Sequence, residues 1–140
     1  MNLIDTHCHL YSEEFNVDIE SVLARAENEN VNKFYLPAID STTHVAMIEL
    51  EDKYPGKCKA MMGLHPCSVK ENYLDELGIV ESWLSKRKFA AIGEIGLDYY
   101  WDKTFMLQQE EAFRKQIELS LHYKLPIVIH TRNAMTETIA

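Results

Sequence analysis

A chain of 140 residues, 46% hydrophobic and 26% charged, is long enough for one packed domain and too apolar to be disordered. A formal net charge of −8 excludes a broad basic surface for gripping nucleic acid, but not capture of a strand end through bound cations. No apolar run reaches the roughly 18 residues of a membrane span, and no basic stretch followed by an apolar one marks a secretory leader. Three cysteines, Cys8, Cys58 and Cys67, lie in or beside apolar segments, and an odd count predicts buried thiols in a reducing cytoplasm rather than a disulfide framework.

Leu3 to His9 reads as a first strand. Alternation along it sets His7 and His9 on one side with Cα atoms roughly 6.5 Å apart, close enough to converge on one divalent metal. Ile19, Val22, Leu23 and Ala26 recur at helical spacing, and a short strand follows over Lys33 to Pro37. Met47, Leu50 and Tyr54 stripe a second helix that Pro55-Gly56 stops, with His44 near its start and no evident partner for that ring. A third strand is predicted over Cys58 to Leu64, a third helix on Leu77, Val80 and Leu84, and a fourth strand over Phe89 to Glu94. Lys86-Arg87-Lys88 precedes that strand and reads as a solvated turn. Phe113, Ile117 and Leu121 carry a fourth helix with His122 on its outer side, Pro126 to His130 makes a fifth strand, and Asn133 reads as the cap of a further helix.

Strict alternation of apolar strands and helices predicts a parallel sheet covered by helices. The length suits either a complete open doubly wound sheet or a little more than half of a closed β/α barrel, which needs roughly 250 residues. The polar residues favour the barrel. His9, His65, Glu94 and His130 all fall at or just after predicted strand ends, the face where such barrels gather their chemistry. Glu94 closes an apolar strand with no basic neighbour, and a buried carboxylate there needs a cation as partner. Three imidazoles and a carboxylate suit zinc, manganese or a similar ion.

The strings Asp5-Thr6-His7-Cys8-His9-Leu10, Gly63-Leu64-His65-Pro66, Gly93-Glu94-Ile95-Gly96-Leu97-Asp98-Tyr99 and Pro126-Ile127-Val128-Ile129-His130-Thr131-Arg132 resemble the TatD family of metal-dependent deoxyribonucleases. They stand in that family's order and spacing across essentially the whole chain. The resemblance implies a (β/α)8 TIM-type barrel that hydrolyses phosphodiester bonds of DNA with metal-activated water, from single strands or strand ends. It implies two divalent ions (Mg, Mn or Zn), with His7 and His9 on one, Glu94 bridging and His130 on the second. His65 would orient the scissile phosphate and Arg132 neutralise its charge, while Tyr99, with Tyr100 and Trp101, either stacks on bases or plugs the loop. Cys67 stands where many members carry histidine and Asn133 where aspartate is usual, and both departures bear on substrate contacts rather than on the metals.

The family draws a further metal histidine and its catalytic aspartate from later strands. Residues 1–140 are therefore expected to form one incomplete barrel domain, inactive alone, with open edges at the first and fifth strands and uncovered faces at Ile92 and Val128. No membrane and no obligate protein partner is implied. A metal-dependent amide or ester hydrolase, such as an aminoacyl-tRNA deacylase, and a non-catalytic half-barrel are the alternatives.

Overall fold

The computed structural model describes all of residues 1–140. Five strands alternate with five helices: β1 (Leu3–Asp5), α1 (Ile19–Asn28), β2 (Val31–Leu36), α2 (Ser41–Lys53), β3 (Cys58–Ala60), α3 (Tyr73–Lys86), β4 (Ile92–Asp98), α4 (Met106–Tyr123), β5 (Ile127–Arg132) and α5 (Met135–Ile139). All pairings are parallel, β1–β2–β3 in one sheet and β4–β5 in another. A parallel bridge between Met62 and Ile92 joins the two, supported by hydrogen bonds from Ala90 N to Ala60 O and from Gly93 N to Met62 O. Spatial order therefore equals chain order. That is the wall of a TIM-type barrel, and it removes the doubly wound alternative, whose strand order reverses at a switch point.

The helices pack on the wall through the stripes that periodicity marks: Leu77, Val80 and Leu84 on α3, and Met47, Ile48 and Leu50 on α2, are buried. Asp40 sets the start of α2 by accepting from Thr42 N while its own N–H donates to the Thr43 hydroxyl. None of the helices is long and apolar enough to cross a membrane.

Several boundaries differ from expectation. β1 stops at Asp5, so His7 and His9 lie in the turn beyond it. β4 begins at Ile92 and runs to Asp98, because Ile95 and Leu97 continue the apolar pattern through Gly96 and all seven residues are buried. Leu121 is exposed; the inward face of α4 is instead Gln109, Ala112, Phe113, Gln116, Leu119 and Ser120. Asn133 adopts a left-handed conformation one residue before the actual cap, Ala134. Ile92 is fully buried and bridged to Met62 just beyond β3, and the exposed apolar edge residues are Leu3, Ile4 and Ile129, with Val128 half-buried. Arg87 is more than a solvated turn: it binds Glu51 and Asp52 at 2.8 and 2.9 Å and lies over Phe89. Cys58 is buried, Cys8 half-buried and Cys67 exposed, so only one of the three thiols is fully enclosed.

Candidate metal centre

Glu94 is only 6% exposed, and its side chain meets no lysine or arginine. Its neighbours are four imidazoles. Oε2 faces His7 Nε2 at 3.1 Å and His9 Nε2 at 3.9 Å; Oε1 faces His130 Nδ1 at 3.1 Å and His65 Nε2 at 3.7 Å. The ligand atoms thus form two groups within 4.8 Å, one of His7, His9 and Glu94 and the other of His65, Glu94 and His130. Each oxygen of a single carboxylate serves one group.

For His9, His130 and His65, contacts behind the rings bear on which nitrogen each presents. Tyr11 donates its hydroxyl proton to Pro37 O at 2.6 Å and therefore accepts from His9 Nδ1–H at 2.8 Å, which leaves His9 Nε2 bare toward Glu94. His130 Nε2–H donates to Asp98 Oδ2 at 2.8 Å, so the neutral ring presents the lone pair of Nδ1 to Glu94 Oε1. Asp98 is 2% exposed. Burial pushes its carboxyl up, but hydrogen bonds from His130 and from the backbone N–H groups of Tyr100 and Trp101 outweigh this and hold it below the usual range. His65 turns its protonated nitrogen to the site, because Nδ1 accepts from Cys67 N at 3.0 Å and the hydrogen stays on Nε2, which faces Glu94. His9 and His130 thus offer lone pairs where His65 offers a donor.

Burial lowers the pKa of His9, and that of His65 to about 4, so both rings are neutral at pH 7. Bare imidazole nitrogens aimed at carboxylate oxygens repel unless a cation lies between them. The donor set therefore fits a divalent ion that accepts nitrogen and oxygen ligands. Because His65 binds its proton more weakly folded than unfolded, stability is full above about pH 6.5 and falls as pH drops toward 4. His9 and His44 shift in the same direction. We expect metal-free protein to lose about 2 kcal/mol at pH 5 relative to pH 7 through His65 alone, read by urea unfolding; an unchanged midpoint would contradict it.

Two glutamines of α4, both buried, hold the segments that carry these groups. Gln116 accepts from Leu64 N at 2.7 Å and donates to Leu64 O at 3.2 Å, and Gln109 accepts from Asp98 N at 2.8 Å and donates to Asp98 O at 3.1 Å. His44, fully buried, does find a partner: its Nε2 contacts Gly63 O at 3.1 Å.

The family model for TatD related DNase matches residues 4–140. The chain belongs to the TatD family. It is 36% identical to a protein of Bacillus subtilis named uncharacterized metal-dependent hydrolase YabD, covering 98% of this chain and 53% of that one. It is 32% identical to deoxyribonuclease TATDN3 of Homo sapiens, with 99% and 55% covered. The crystal structure of YJJV, a TatD homologue from Escherichia coli, superimposes with a TM-score of 0.90 at 31% identity, over 97% of this chain and 53% of that one. The chain spans about half the length of the curated relatives it matches.

Within this TatD-family wall, His7, His9, Glu94 and His130 meet at one place, with His65 against the second oxygen of Glu94. Arg132 is exposed and lies with its guanidinium 3.8 Å from the Tyr100 ring centre. Tyr99 is not available to a substrate: it is 4% exposed and its hydroxyl donates to Glu110 on α4 at 2.9 Å. Strand alternation explains this, since Asp98 points to the site and its successor must point away. Tyr11, Gln109 and Gln116 lie outside the four TatD-like strings, and Asp98 stands in one of them without an expected role. The signal available for the glutamines was a polar pair spaced seven apart on the Phe113 face of a helix. Replacing Tyr11 with phenylalanine should free the His9 ring and weaken metal binding about 10- to 100-fold, measured by calorimetry; unchanged affinity would show that Pro37 and Tyr11 do not set that ring.

Proposed function

We propose that these residues form most of a two-metal centre for hydrolysing phosphodiester bonds of single-stranded DNA, acting from strand ends. The reading rests above all on Glu94, whose two oxygens address separate histidine groups as a carboxylate shared by two ions does. His7 and His9 would hold one ion, Glu94 would bridge, and His130 would hold the other through Nδ1. Magnesium, manganese or zinc there would supply an activated water and positive charge for the phosphate. His65 Nε2–H would donate to a phosphate oxygen, and Arg132 would offer it a fork of unpaired donors. The five-stranded wall would be part of an eight-stranded barrel, with a further histidine ligand and the proton-accepting aspartate on strands outside residues 1–140. Free thiols suit a reducing, cytoplasmic setting.

The test offers end-labelled single-stranded DNA and an aminoacyl-tRNA to full-length protein, with each metal and with EDTA. Metal-dependent shortening of the DNA is expected. Ester hydrolysis without DNA cleavage would replace this reading with the deacylase one, and cleavage insensitive to EDTA would remove the metals from it.

A further inference from the structure

Beyond the metal centre, the same end of the wall carries an aromatic group that no step above uses. Tyr100 and Trp101 are 48% and 69% exposed, with ring centres 4.7 Å apart and planes nearly perpendicular. Arg132 covers Tyr100 at 3.8 Å and approaches Trp101 at 5.1 Å. Its guanidinium forms no hydrogen bond or ion pair in a chain with 22 acidic residues, so cation–π contact alone positions it. Arg132 stands two residues beyond His130 on β5, on the same side of the strand and roughly 6.6 Å away along it. Asp98 joins the two places: Oδ2 accepts from His130, while Oδ1 accepts the backbone N–H groups of Tyr100 and Trp101.

We propose that Trp101 is the stacking surface for an unpaired nucleobase adjoining the phosphate at the metal centre, with Tyr100 holding Arg132 toward that phosphate. A solvent-facing indole beside an unpaired guanidinium fits a ligand that has both a flat aromatic ring and an anionic phosphate, which is a nucleotide. The proposal rests on the phosphodiester reading and places recognition on Trp101 instead of the buried Tyr99.

Residues 1–140 hold Trp83 and Trp101, so full-length protein with Trp83 and any tryptophan outside this span changed to phenylalanine isolates the Trp101 fluorescence. This protein is titrated with the thymidine dinucleotide pdTpdT and with the same compound bearing an abasic tetrahydrofuran in place of the second nucleoside, in EDTA and in Mn²⁺. Quenching by pdTpdT is expected, with binding about 10-fold tighter than for the abasic compound. Trp101→Ala, a change at an exposed side chain, should erase that difference in a competition assay, and Trp101→Phe should keep most of it. Equal binding of the two compounds, or no quenching, overturns the platform. Quenching without cleavage by the full-length protein under any metal would leave the platform standing and sink the hydrolase reading. Cleavage that ignores the missing base would do the reverse.

Discussion

Under the proposed two-metal function, Glu94→Gln should strip both ions from the full-length protein and lower its hydrolytic activity by at least about 10³-fold. Loss of a group that merely orients a ligand costs 10- to 100-fold in affinity or activity, and Glu94 faces both histidine groups at once. Glutamine keeps the shape but presents an amide nitrogen on one side and removes the charge from both. Its N–H can donate to a bare ring nitrogen of His9 or His130, so the fold should survive. Metal content by elemental analysis, kcat and thermal unfolding separate these effects. A variant with wild-type metal content and activity within tenfold would show that Glu94 is not the shared ligand.

Gly96→Ala should unfold the wall where Glu94 meets His130. Gly96 has φ of +142°, a conformation side chains rarely adopt, and it pairs with His130 across β4 and β5. A Cβ at this position would overlap the carbonyl oxygen of His130, and a backbone atom in a parallel ladder has nowhere to move. We expect a loss of more than about 3 kcal/mol, or insoluble protein. Gly78→Ala is the matched control: on α3, its added methyl meets nothing within 4 Å, and it should gain about 0.5–1 kcal/mol. Urea unfolding of both variants decides the matter, and a Gly96→Ala protein as stable as the parent would refute the close approach.

The contrast between these glycines marks what a sequence does and does not disclose. Strand and helix order was legible, because apolar periodicity is local and each element repeats it. So was the TatD resemblance, carried by four short strings. The reason for the convergence of His7 and His9 was not: alternation along a strand was the expected cause, but the strand ends at Asp5 and a turn brings both rings to Glu94. β4 was read as ending at Glu94, whereas it runs on to Asp98 through Gly96, the point where β5 comes closest. The supports of the site were hidden for a different reason. Tyr11 acts through Pro37, Asp98 through His130 and Gln116 through Leu64, partners 26 to 52 residues away that only the fold brings together.

Gln109 and Gln116 do for Asp98 and Leu64 what a neighbouring strand would do, since each side-chain amide satisfies both the N–H and the C=O of one residue. A helix on the flank thereby occupies backbone groups of the wall that no strand partner takes. One consequence concerns how the loop between Tyr100 and Phe105 can diverge. Its length and side chains sit between two fixed points, Asp98 and the start of α4, and α4 is itself fastened at Leu64. Changes there leave the register of the histidine and carboxylate frame intact, so the loop can vary among TatD-family members without rebuilding what lies beneath it.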